Sequence, residues 1–94
     1  MSKEALNAWT YKHIDNFNHF LKEVEATADT RHGSPWDRGG ADYYYGRNPN
    51  PHFFEGAPYA TAKFEKENMT DRQIDEYFAG YVWMQRTGAE KSWN

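Results

Sequence analysis

The chain has 94 residues, 11 of them basic against 14 acidic, for a formal charge of −3, and it has no cysteine. That length allows one small domain that hides only about 60 to 65% of its unfolded surface, which excludes a large enclosed active site. The charge excludes a general electrostatic hold on nucleic acid or anionic membrane, and the missing thiols exclude disulfides, thiolate nucleophiles and cysteine zinc sites.

The first predicted element covers residues 1–28. Leu6, Trp9, Thr10, His13, Ile14, Phe17, Phe20, Leu21 and Val24 fall in one sector at helical spacing, so the segment reads as a long amphipathic helix with Ser2 as its N-cap. At about 1.5 Å per residue it would run some 35 Å, more than two short helices can cover. Either the stripe of Leu6, Trp9, His13, Phe17, Phe20 and Val24 meets a second copy of the chain, making a homo-oligomer, or it lies across its own domain. The charged opening is not a signal peptide, and apolar runs are only a few residues long. The default expectation is therefore a cytoplasmic protein with no membrane contact.

Residues 34–46 carry matching start and stop signals for a short helix. Ser34 is the N-cap, Pro35 the first helical residue, Asp37 the third, and Gly46 stands just past the end. Gly39 and Gly40 each cost such a helix about 1 kcal/mol relative to alanine, which points to close approach of another backbone. Trp36, Gly40 and Tyr43 share one face; Arg38, Asp42 and Tyr45 share another, where Arg38 and Asp42 are spaced for an ion pair.

Residues 47–69 read as an ordered connector, since three prolines and Gly56 oppose regular structure over its first half and Phe53, Phe54 and Tyr59 can anchor it. Residues 60–68 fit either a short helix or an edge strand. Arg31, Arg38 and Arg47 with Tyr43, Tyr44, Tyr45, His32 and His52 form a local patch suited to phosphate or base stacking, or alternatively to scaffolding the loop through arginine bonds to carbonyls.

Residues 70–88 open with a full helix start. Thr70 and Gln73 make a capping box, Met69 and Ile74 the hydrophobic staple, and Gly88 the residue past the end. Ile74, Tyr77, Phe78, Tyr81 and Val82 form the inward stripe, and Gly80 beside it permits close packing. Trp83, with Gln85 and Arg86, lies on the opposite face. It is either a contact residue or covered by the tail of residues 89–94, which holds Trp93.

Leu, Ile, Val and Phe together number only 12 of 94 residues, whereas the chain has six Phe, seven Tyr and four Trp. The core must be built from rings, whose OH and NH groups need polar partners. No helix places two histidines on one face as metal ligands, no phosphate-binding glycine loop follows a strand, and no serine has a nucleophile-elbow setting. His13, inside an apolar stripe, reads as a hydrogen-bonded packing residue. These readings point away from an enzyme and call for no cofactor and no metal.

Arg38-Gly39, Gly46-Arg47, Asn48-Pro49 and, later, Tyr77, Gly80 and Tyr81 give a pattern that resembles the ribosome modulation factor family, over roughly residues 36 to 82. The stretch from Asp37 to His52, followed by the Thr-capped helix with Ala79-Gly80-Tyr81, is also similar to small proteins encoded by phages and bacteria. The resemblance implies two helices joined by a proline-rich loop and, in the factor itself, binding to ribosomal RNA on the small subunit. Phosphate contacts dominate affinity for RNA, so for a chain at −3 the leading expectation is instead a phage-type accessory protein. In that reading it works in the host cytoplasm, binding and inhibiting or redirecting a host protein. A ribosome-binding modulator and sequestration of a nucleotide by the Arg/Tyr patch are the alternatives. The expected fold is all-α in a single domain over residues 1–94, with Trp36, Arg38, Asp42, Tyr43, Tyr44, Tyr45, Arg47, His52, Trp83 and Arg86 as binding residues.

Overall fold

A computed structural model describes residues 4–87. These form four α-helices and one antiparallel pair of strands, in the order α1 (Glu4–Lys12), α2 (Phe17–Thr27), α3 (Pro35–Tyr44), β1 (His52–Phe54), β2 (Lys63–Glu65) and α4 (Asp71–Thr87). Single 3-10 turns lie at Ile14–Asn16 and Lys66–Asn68. Ser2, Gly88 and Trp93, given capping and covering roles above, lie outside the described residues.

Helix α4 is the axis of the fold. Tyr77, Phe78, Ala79, Tyr81 and Val82 are all buried, because α1 and α2 cover one side of it and α3 the other. The predicted inward stripe is therefore correct, and its capping box forms as read. The Thr70 N–H donates to Gln73 Oε1 at 2.9 Å and the Gln73 N–H to Thr70 Oγ1 at 3.1 Å.

Helix α3 begins and ends as its sequence dictates. Ser34 Oγ accepts the Asp37 N–H at 3.2 Å, and Asp37 accepts the Gly33 N–H at 2.8 Å. At the other end Gly46 takes φ +73, the Gly46 N–H reaches the Tyr43 carbonyl and the Arg47 N–H reaches that of Asp42, which is a Schellman closure. Between these ends the backbone meets α4 directly. A Cβ on Gly39 would stand 1.9 Å from the Tyr77 carbonyl oxygen, and one on Gly80 would stand 2.3 Å from that of Trp36. The interior glycine at 39 is thus explained by close approach.

Two expectations need correction. The single helix over residues 1–28 is broken: His13 (φ −110, ψ 16) and Asn16 (φ −140, ψ 36) leave helical geometry around Asp15 and Asn16, residue types that compete for backbone hydrogen bonds. The break turns α2 antiparallel to α4, as the pairs Asn18 with Arg86 and Thr27 with Arg72 show. Leu6, Trp9 and Val24 are then buried in the chain's own core, with Trp9 stacked on Phe78 at 5.3 Å between centroids and donating to Asp75 at 2.9 Å. Ile14, assigned to the stripe, falls at the break and is 53% exposed.

The all-α expectation is corrected as well, to a mostly helical chain with a small sheet. In the connector, Pro49 and Pro51 precede β1 and Pro58 follows it, which leaves His52, Phe53 and Phe54 free to pair with Glu65, Phe64 and Lys63. Phe53 stacks on Phe64 across the pair at 4.8 Å and 11°. Residues 60–68, open between helix and strand, thus supply β2 and a 3-10 turn.

Candidate functional site

The ends of α3 and the connector enclose a polar network that the aromatic core would otherwise forbid. Asp42, 4% exposed, accepts from Arg47 Nε at 2.8 Å and from the Tyr77 hydroxyl. Tyr77 in turn accepts the Asn50 N–H at 2.9 Å. Burial, with the Asp42 carboxylate adding to it, pushes the Tyr77 hydroxyl far above the ordinary tyrosine range, and the same two causes raise Tyr81. The bond from Asp42 holds the Arg47 guanidinium still more firmly protonated. His52 is buried too. Its Nδ1 lies 2.8 Å from the Asn50 carbonyl oxygen, which can only accept, so Nδ1 carries the hydrogen and Nε2 accepts from Arg38 Nε at 3.4 Å. The predicted Arg38 and Asp42 pair is not made, because the Schellman turn brings Arg47 onto Asp42 and β1 brings His52 onto Arg38.

In front of this network lies an open cleft of about 830 Å³ between α3, the C-terminal half of α4 and the connector. Trp36, Arg38, Tyr44, Tyr45, Arg47, Tyr59 and Trp83 all line it. The rings come in groups: Trp36 lies 6.0 Å from Trp83, Tyr44 is edge-on to Tyr45, Arg47 sits 5.2 Å over Tyr45 and Arg38 5.5 Å over Tyr59. Tyr45, Tyr59 and Trp83 are exposed, at 54%, 76% and 39%. Tyr59 also stands at φ +64, a left-handed conformation that costs a bulky side chain about 1 to 2 kcal/mol. The result is an aromatic-lined trough with Asp37, Arg47 and the deeply set Arg38 guanidinium in its wall.

The chain matches no family model, no curated protein and no solved structure. Its site has to be read from its own geometry. Of the ten sequence-assigned binding residues the cleft brings together Trp36, Arg38, Tyr44, Tyr45, Arg47 and Trp83. Asp42 and His52 stand behind it as buried supports, and Tyr43 turns inward, edge-on to Tyr81 at 5.4 Å. Arg86 lies on the other flank of α4, bonded to Asn18 and placed over Phe17. Arg31 follows the scaffolding alternative, with its guanidinium on the carbonyls of Phe54, His32 and Gly56.

Of the six residues offered to a second copy, Leu6, Trp9 and Val24 are enclosed by the chain itself, and His13, Phe17 and Phe20 are half-buried against the same core. That face is occupied by α4. His13 stacks on Phe20 at 4.0 Å and its Nε2, 3.7 Å from Asp75, has no hydrogen-bond partner, which corrects the reading of a hydrogen-bonded histidine.

Sequence reasoning assigned Tyr59 only to anchoring the loop, yet its hydroxyl accepts from Arg38 Nη2 at 3.2 Å on the cleft wall. The separation of 21 positions, and the irregular backbone at Tyr59, left no periodic signal to find it by. Among the described residues no three His, Asp or Glu side chains converge as a metal-holding group, and no helix is long and apolar enough to cross a membrane.

Proposed function

We propose that this chain is a non-catalytic recognition module that binds another protein, a host protein in the phage-type reading, through the cleft between α3 and α4. The observation that carries the reading is the grouping of Trp36, Tyr44, Tyr45, Tyr59 and Trp83 with two arginines around one open trough. Trp, Tyr and Arg are the side chains that dominate protein-binding energetics, and a small domain spends stability to leave such rings in water. Asp42, His52 and Tyr77 support the cleft from behind its wall, where they are committed to one another and to the backbone.

Affinity capture from a bacterial lysate tests this, with wild-type chain compared against a Trp83→Ala/Tyr45→Ala variant that keeps the wild-type melting temperature. One dominant protein, retained by wild type and lost by the variant, is the expected result. Equal retention by both removes the cleft from the reading. Recovery of small ribosomal subunits would instead support the ribosome-directed alternative that the family resemblance implies.

A further inference from the structure

Among the described residues the small sheet has one open edge. Strand β1 is covered on its outer side, where the Phe54 N–H donates to the Gly33 carbonyl at 2.8 Å, whereas β2 packs closely only on β1 and on the 3-10 turn that follows it. In an antiparallel pair, successive residues alternate between facing the neighbouring strand and facing away from it. The Glu55 N–H donates to the Ala62 carbonyl at 2.9 Å, in continuation of the register. Two residues further along, Phe53 and Phe64 therefore also face one another, and Lys63 and Glu65 turn their backbone groups outward. Neither outward N–H has an acceptor among the described residues. The Glu65 carbonyl, at the N-cap of the 3-10 turn, takes the first bond of that turn and keeps a second lone pair. The Lys63 and Glu65 side chains share one face, 3.7 Å apart and exposed at 43% and 52%. Phe64 lies half-buried on the other face, stacked on Phe53.

We infer that this edge docks a second copy of the chain, the two β2 strands running antiparallel about a two-fold axis at Phe64, so that two sheets of two strands join into one of four. Charge selects both the occupant and the register. Strands pair through residues whose backbone groups point at each other, so Lys63 or Glu65 of one copy must stand opposite Lys63 or Glu65 of the other. Setting lysine on lysine or glutamate on glutamate places like charges directly opposite, and a parallel arrangement in register does the same. The antiparallel register about Phe64 instead sets each lysine on a glutamate, twice over. A lone edge lysine repels a neighbouring strand, but this one has its counter-charge two residues on, so the edge is complementary to itself. In that register each outward N–H meets a carbonyl of the second copy. Phe64 meets its equivalent in the closer, non-hydrogen-bonded pair, which continues the Phe53–Phe64 stack across the axis. Because the outer side of β1 is covered, the assembly closes at two copies. Lys63, Phe64 and Glu65 do not line the cleft between α3 and α4, so the inference is independent of the protein-binding reading above.

Sedimentation of the full chain over about 10 μM to 1 mM, a range suited to an interface this small, tests the inference. Wild type should associate to a dimer, and the Lys63 and Glu65 amide signals in nitrogen-15 spectra should move as the concentration rises. Lys63→Glu and Glu65→Lys each set like charges opposite one another, and each should weaken association about tenfold or more. Mixing the two variants restores both ion pairs across the axis, and so does the double variant Lys63→Glu/Glu65→Lys in one chain; both should dimerise like wild type. A wild-type chain that stays monomeric throughout the range would overturn the inference, as would association undiminished in the single variants. Failure of both the mixture and the double variant to dimerise would do the same, and so would concentration-dependent shifts centred on Tyr45 and Trp83 in place of the β2 amides. Were a single variant to unfold, the double variant, which keeps both charges on the same exposed face, decides.

Discussion

Replacing Gly39 with alanine should loosen the whole molecule, whereas the same change one residue later should tighten it. At Gly39 the new Cβ falls 1.9 Å from the Tyr77 carbonyl oxygen, about 1.5 Å short of ordinary contact at 3.4 Å, and the obstacle is backbone that cannot rotate away. The helices must separate along the most extensive helix–helix contact in the molecule. Overpacking of this kind costs about 1 to 3 kcal/mol, and because no side chain can yield, the upper end applies. Alanine returns about 1 kcal/mol of helix propensity, which leaves a net loss of about 2 kcal/mol and, for a domain of this size, a drop in melting temperature of about 10 °C. At Gly40 the nearest atom is the end of Met84 at 3.3 Å, a flexible group, so the propensity gain survives and stability rises by up to about 1 kcal/mol. Adding Gly80→Ala to Gly39→Ala should cost less than it does alone, since one separation serves both collisions. Urea melts followed by helical circular dichroism measure all of these. A Gly39→Ala chain as stable as wild type, or a Gly40→Ala chain as weak as Gly39→Ala, would refute the close-approach account.

Tyr77 should make stability fall in alkali. Because burial and Asp42 raise its pKa above the ordinary 10.0, the folded chain keeps a proton that the unfolded chain gives up. Stability is therefore intact below pH 10 and declines as the pH rises past it, by up to about 1.4 kcal/mol per pH unit for this group. Tyr77→Phe should start lower, by about 1 to 3 kcal/mol, since it leaves Asp42 and the Asn50 N–H short of a partner, and it should show a shallower decline in urea melts between neutral and alkaline pH. Trp9→Ala should cost about 3 to 5 kcal/mol, with no change in sedimentation of the folded fraction, because the ring packs on Phe78 of its own chain. Thr70→Ala should cost about 1 kcal/mol through the lost bond from the Gln73 N–H, measured in the same melts.

Local signals in this chain were legible and topological ones were not. Ser34, Gly46, Thr70 and Gln73 each announce a helix end by chemistry that acts within four residues, and all four do so in the structure. Gly39 and Gly80 mark the crossing of α3 and α4 for the same reason, whereas Gly40, read as a second point of close backbone approach, meets first the flexible Met84 side chain. The break near Asn16 was hidden because the apolar spacing continues on both sides of it. Strand β1 was hidden by its length, three residues, among prolines that argue against any sheet, while β2 falls within residues 60–68, where an edge strand was one of two readings. Within the site, the local Arg/Tyr cluster supplied residues that line one cleft, yet the partners of Asp42 and Arg38 were misread. Arg47, His52 and Tyr59 reach them from 5, 14 and 21 residues away across a turn and a loop.

The line of bonds from Tyr77 through Asp42 to Arg47 ties the floor of the molecule to the rim of its trough. Rim and interior are consequently one inheritance: a change that retunes Arg47 toward a new target strips a support from the centre of the molecule, and a change that repacks the centre shifts the rim. Variants of this protein should diversify their targets through Tyr45, Tyr59 and Trp83, whose rings stand in water, and hold Asp42, Arg47 and Tyr77 together as a set.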